Sequence, residues 1–102
     1  MIKSKFETNL SLIKDNFKGP YSLDRFLIEA LLHQKSGVYI WAEEMKGSLW
    51  GYCGQAKSLP ERLKDWARDL KKAQFYYRYV KEEELSECEK YWILKAGDLN
   101  KV

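Results

Sequence analysis

Ser36-Gly37-Val38-Tyr39-Ile40-Trp41, followed after a short polar segment by Trp50-Gly51-Tyr52-Cys53-Gly54-Gln55-Ala56-Lys57-Ser58-Leu59-Pro60-Glu61-Arg62, is the stretch whose reading decides the fold. Gly37 switches the apolar period to two, and Val38/Ile40 alternate with Tyr39/Trp41 as the two faces of a strand. Glu43-Glu44-Met45-Lys46-Gly47-Ser48 reads as a turn that returns the chain into Leu49-Trp50-Gly51-Tyr52-Cys53, its antiparallel neighbour. Gly51 and Gly54 interrupt this second strand, where they let another backbone or a ligand approach closely. Ser58 and Glu61 then have the spacing of a capping box, with Pro60 tolerated in the first turn. The helix that follows buries Leu59, Leu63, Trp66, Ala67 and Leu70 and carries Arg62 one turn in. Arg62, Lys64, Arg68, Lys71 and Lys72 lie elsewhere around it, diluted by Asp65 and Asp69, a pattern that is ordinarily a solvated face.

Upstream, Ser4-Lys5-Phe6-Glu7 has the form of a second capping box, and Phe6, Leu10, Ile13 and Phe17 recur at helical spacing. Gly19-Pro20 ends that helix, because glycine accepts a left-handed terminus and proline cannot continue the hydrogen bonds. A second helix is expected from Ser22 to about Gln34, burying Leu23, Phe26, Leu27, Ala30 and Leu31. Residues 1–35 thus read as a helical hairpin packed on the core. His33, at that helix end, reads as a polar cap residue.

Downstream, Gln74 to Val80 is rich in aromatic and β-branched residues and reads as a third strand. Glu82-Glu83-Glu84 suits a helix N-terminus through the macrodipole. On the last helix Leu85, Cys88, Trp92 and Ala96 share a face, and Glu89 falls inside it. A carboxylate on an apolar stripe is unfavourable unless paired, protonated or bound to a metal. Its commoner explanation is a structural salt bridge to Arg62, Arg78 or a lysine.

The expected fold class is therefore α+β: a small three-stranded antiparallel sheet flanked by helices, in one domain over 1–102, with residues 36–100 as the core. A chain of 102 residues has room for one such core. Its 45% hydrophobic and 15% aromatic content lies outside the range of disordered chains. The net charge of +3, from 18 Lys/Arg against 15 Asp/Glu, permits binding to a polyanion without announcing it. No apolar run approaches the roughly 20 residues of a membrane span, and Met1-Ile2-Lys3-Ser4-Lys5 leads into no signal-type segment, so the expectation is a cytoplasmic protein without membrane contact. Cys53 and Cys88 lack metal-ligand spacing and His33 is the sole histidine, which disfavours zinc.

The order helical hairpin, strand with Gly-Val-Tyr, strand with Tyr-Cys-Gly, helix with Arg, strand, helix with Glu resembles the GIY-YIG nuclease domain. Gly37-Val38-Tyr39 corresponds to the family's first tripeptide and Tyr52-Cys53-Gly54 to the second. The run Gln55 to Leu63 resembles the segment leading to the family's arginine, here Arg62, eight residues after Gly54. In Glu87-Cys88-Glu89-Lys90-Tyr91-Trp92-Ile93, Glu89 resembles the metal-binding glutamate. The chain departs from the pattern at Gln55, where many members have Lys, and in Gly97-Asp98-Leu99-Asn100, which keeps the terminal Asn, as a structural residue, without the usual Pro.

The resemblance implies metal-dependent hydrolysis of DNA phosphodiesters. Glu89 would hold a single Mg²⁺ or Mn²⁺ near the leaving group, and Arg62 would donate to the non-bridging oxygens. Tyr39 would take the proton of the attacking water, which requires its anion to be favoured by the nearby Arg and metal. Tyr52 would position the water or the phosphate, and Gln55, Lys57, Lys64 and Arg68 are candidates for contacting nucleic acid. So small a domain would draw its specificity from a homodimer, a partner protein or the structure of the DNA.

The same residues admit plainer readings. Tyr39 and Tyr52 also read as cross-strand aromatic neighbours, Arg62 as a surface residue, and Tyr76, Tyr77 and Tyr79 as sheet packing rather than a base-stacking platform. Trp41, Trp50, Trp66 and Trp92 read as core or surface aromatics. The alternative function is an inactive or weak GIY-YIG-like module that binds nucleic acid or a partner protein, or a structural domain docking through its N-terminal hairpin.

Overall fold

The central strand, β2 (Gly37–Met45), is apolar on both sides because both sides are covered. In the computed structural model, which describes residues 11–45 and 48–95, Val38 and Ile40 are buried against one helical layer and Tyr39 and Trp41 against another. Beside β2 run β3 (Ser48–Ala56) and β4 (Gln74–Tyr79), both antiparallel to it. Helix α3 (Leu59–Asp69) joins β3 to β4, and a 3₁₀ turn over Glu82–Glu84 leads into α4 (Leu85–Lys95). These follow the periodicities of the sequence.

Among the described residues the sheet has four strands, not the three expected. Lys18–Ser22 forms β1, an antiparallel edge strand on β4, giving the order β1-β4-β2-β3. The expected helical hairpin is therefore a helix over residues 11–16 (α1), then a strand, then a short helix. Gly19 and Pro20 do end α1, yet the chain continues extended. Gly19 takes φ +130 with its backbone pressed against the carbonyl of Phe75, and proline is tolerated in an edge strand, where no outer neighbour needs its N–H.

The next helix, α2, covers Arg25–Leu31 instead of Ser22 to Gln34. Ser22 pairs with Gln74 in the sheet, and Asp24 is the true N-cap, its Oδ2 accepting from Leu27 N at 3.0 Å. At the far end, the backbone after Leu32 is already engaged elsewhere. Leu32 turns its side chain into the core, His33 N–H donates to the Tyr79 hydroxyl at 3.0 Å, and Lys35 C=O accepts from Leu59 N at 2.9 Å. The buried face also differs from the expected one: Ile28 is fully buried and Phe26, expected inside, is 77% exposed.

Two other expectations change locally. The strand reaches through Glu43 and Glu44 to Met45, with Glu43 opposite Trp50 and its Oε1 accepting from Lys72 N at 3.3 Å, so the connection is tighter than the six residues expected. Ser58 precedes α3 but makes no capping bond; its Oγ–H donates to Gln34 Oε1 at 2.6 Å. Ser4, Phe6, Leu10, Ala96 and the segment from Gly97 to Asn100 lie outside the described residues, as do Lys46 and Gly47.

The core lies in two layers. On one face Val38, Ile40, Cys53 and Tyr76 pack with Ile13 and Phe17 from the first helix and its end and with Leu85 and Trp92 of α4. On the other, Tyr39, Trp41, Ala56, Phe75 and Tyr77 meet Leu23, Ile28, Leu59 and Leu63. Among the described residues no helix is long and apolar enough to cross a membrane.

Candidate active site

Because β3 is an edge strand, groups on α3 and α4 approach it from opposite faces of the sheet. Period-two alternation then decides which residues meet. Gly54 lies opposite Tyr39, so Tyr52 and Gly54 belong to the α3 face, while Cys53 and Gln55 face α4. The candidate residues divide accordingly: Tyr39, Tyr52 and Arg62 on one side, Glu89 on the other, with the end of β3 between them.

Two glycines of the motif are explained by packing. A Cβ on Gly54 would stand 2.5 Å from the Tyr39 hydroxyl oxygen and 2.8 Å from Cε2 of Tyr52. The space the sequence suggested for a backbone or ligand is thus filled by the Tyr39 phenol. A Cβ on Gly37 would collide with the Arg78 carbonyl and stand 2.5 Å from Cδ1 of Leu59.

Tyr39 is 1% exposed, and its hydroxyl accepts a hydrogen bond from Trp66 Nε1–H at 2.8 Å. Burial pushes its pKa up to about 12; the Trp66 bond and the Arg62 charge oppose that shift, while Tyr52 adds to it. The phenolate that a general base requires is disfavoured in the protein alone, because burial outweighs the Arg62 charge. Tyr52, half-buried, has its ring 6.3 Å from that of Tyr39 and 5.2 Å from Trp66. Both tyrosines are cross-strand aromatic neighbours, as the plainer reading had it; Tyr76 and Tyr77 are buried in the sheet.

Leu59 and Leu63, both fully buried, fix α3 so that Arg62 stands exposed at its first turn. It makes no salt bridge among the described residues. Arg62 looks into a cleft of about 610 Å³ shared with Gln55 near the end of β3, Lys57 just beyond it, Glu82 of the 3₁₀ turn and Ser86 at the start of α4. Tyr39, Tyr52 and Glu89 are not on its walls; of the four catalytic candidates only Arg62 is. The walls carry Lys57 and Arg62 against Glu61, Asp65 and Glu82, so the cleft is no simple cationic cradle for phosphate.

Glu89 lies one helical turn beyond Ser86, half-buried between Leu85 and Trp92. Among the described residues no Arg or Lys, Arg62 and Arg78 included, pairs with it. Its Oε1 instead accepts from Gln55 Nε2 at 3.3 Å, which ties the carboxylate to the cleft. Glu89 also lies close enough to Cys53 to help burial raise that thiol to about 12. A half-buried carboxylate with a neutral amide as its polar partner suits a hard divalent cation, which takes one or two carboxylates and keeps several waters. Among the described residues no group of three or more His, Cys, Asp or Glu forms a ready-made metal cage.

Of the other nucleic-acid candidates, Lys57 is exposed at the cleft rim. Lys64 is held by Glu29 at 3.2 Å and Glu61 at 3.3 Å, and Arg68 pairs with Asp65. Trp66 and Ser86 were not singled out from the sequence; the spacing of Trp66, four residues beyond Arg62, is the signal for the first. Compared with known proteins, the chain matches no protein-family model, no curated protein and no solved structure.

Proposed function

We propose that this protein is a metal-dependent DNA endonuclease of the GIY-YIG type. The observation that carries the reading is the pair Arg62 and Glu89: a guanidinium and a half-buried carboxylate flank the end of the β3 edge from opposite faces, and neither is neutralised by an ion pair among the described residues. Arg62 opens directly on the cleft and Glu89 reaches it through Gln55, and charges left in that state suit a charged ligand better than a structural role.

In this reading Glu89 holds one Mg²⁺ or Mn²⁺, which when bound supplies Lewis-acid stabilisation of the leaving 3′ oxygen. Arg62 donates to the non-bridging oxygens, where charge grows in the transition state. Tyr52 would orient the phosphate or water, and Tyr39 would accept the water's proton only after losing its own, as a phenolate that the Trp66 bond and the Arg62 charge favour and burial opposes. The test is nicking of supercoiled plasmid in Mg²⁺, in Mn²⁺ and in EDTA: cleavage restricted to the metal-containing reactions supports the reading, and no cleavage in any of them overturns it.

A second reading, a module that binds nucleic acid or a protein without cutting, is favoured by the burial of Tyr39 and the rise of its pKa to about 12. DNA retention at low salt with no product in any metal would select it.

A further inference from the structure

We propose that Gln55 is the second protein ligand of the cation held by Glu89, its side-chain amide turning over to present Oε1 where Nε2 now stands. The inference rests on the reading of Glu89 as a metal ligand and adds to it the identity of the group beside it.

The geometry is that of two adjacent ligand positions. Gln55 Nε2 stands 3.3 Å from Glu89 Oε1. The two ends of an amide are nearly alike in size, so a rotation about its last bond exchanges donor for acceptor at almost the same place. Neighbouring oxygens in an octahedral shell with bonds of about 2.1 Å lie roughly 3 Å apart. The present separation therefore needs only a small closure. Without the ion, the amide must offer its N–H to the carboxylate, because two oxygens at that distance repel; with the ion, the opposite orientation is preferred.

Position and surroundings agree. Gln55 projects from an edge strand into the cleft, and no other hydrogen bond to its side chain holds the amide in one orientation among the described residues. Its carbonyl oxygen is a hard, neutral donor of the kind that Mg²⁺ and Mn²⁺ accept beside carboxylates and water. A neutral residue here also leaves the Glu89 charge undiminished in the ion's absence.

The test is the affinity of the intact chain for Mn²⁺ without DNA, read from the free-Mn²⁺ signal in electron paramagnetic resonance, with folding of each variant checked by thermal unfolding. Gln55→Ala should weaken Mn²⁺ binding by about tenfold or more. Gln55→Glu, which keeps the shape and adds a charged oxygen, should tighten it, a gain that misfolding cannot mimic. Binding within about twofold of wild type in both variants, with loss in Glu89→Ala, overturns the inference and leaves the nuclease reading intact. Undiminished binding in Glu89→Ala overturns both.

Discussion

Trp66 Nε1–H donates a 2.8 Å hydrogen bond to the hydroxyl of Tyr39, so the tyrosine of the first strand motif is held from the helix that also carries Arg62. An indole nitrogen only donates, which leaves the Tyr39 proton pointing elsewhere and stabilises its oxygen as it gains charge. Trp66→Phe removes that support. The variant is expected to cleave DNA more slowly than wild type at every pH and to lose about 0.5–1.5 kcal/mol of stability in urea unfolding. Unchanged cleavage would detach Tyr39 from the chemistry.

Alkaline stability follows from two buried acids. In the folded chain Tyr39 is raised from 10.0 to about 12 and Cys53 from 9.0 to about 12, both chiefly by burial. Each keeps its proton at a pH where the unfolded chain has lost it, so the unfolded state binds fewer protons and stability falls as pH rises. The contribution is complete below pH 9 and is lost between pH 9 and 12. Tyr39 accounts for about 2–3 kcal/mol of it. Urea midpoints measured across that range should fall steadily, and Tyr39→Phe should flatten the decline above pH 10.

Gly54→Ala tests whether the second motif glycine is there for packing. The new methyl group would stand 2.5 Å from the Tyr39 hydroxyl oxygen and 2.7 Å from its Cζ. The expected loss is about 1–3 kcal/mol of stability, together with cleavage activity, since the phenol must move. In a Tyr39→Phe background the same substitution should be less damaging, because the nearest clashing atom is gone. Equal effects in both backgrounds would refute the contact.

The lysines of the α3 region should separate by function. Lys57, exposed at the cleft, is expected to contact phosphate, and Lys57→Ala should reduce the slope of log affinity for DNA against log salt by about 1. Lys64 is bridged to Glu29 and Glu61, so Lys64→Ala should leave that slope unchanged while loosening the contact between α2 and α3. Reversal of the two would shift the DNA path along α3.

The parts of the fold legible in the sequence are those whose apolar period is carried by their own residues. Val38/Ile40 against Tyr39/Trp41 define β2, and Leu59 with Leu63 define α3. Strand β1 was not legible, since Lys-Gly-Pro-Tyr-Ser has no apolar alternation and becomes a strand only by pairing with Phe75 and Tyr77 across the sheet. The wrong face of α2 has the same origin: Phe26 and Ile28 are equally apolar, and the choice between them is made by where Leu23 and Leu32 anchor the ends.

At the site, the isolation of Glu89 on an apolar stripe was readable, but its partner was not. That Gln55 meets Glu89 while Tyr52 meets Trp66 depends on strand parity, fixed by the Tyr39–Gly54 register. The condition that the Tyr39 role sets, an anion favoured by its surroundings, is visible in the sequence through Arg62, whereas the burial that outweighs that charge is not.

The most direct test of the account is the single-turnover cleavage rate of branched DNA in Mn²⁺ by wild type, Arg62→Ala and Glu89→Ala, each shown to be folded. The account predicts metal-dependent cleavage by wild type and a loss of at least about a hundredfold in both variants, as expected when a group stabilising transition-state charge is removed. Cleavage that persists in either variant at the wild-type rate would contradict it.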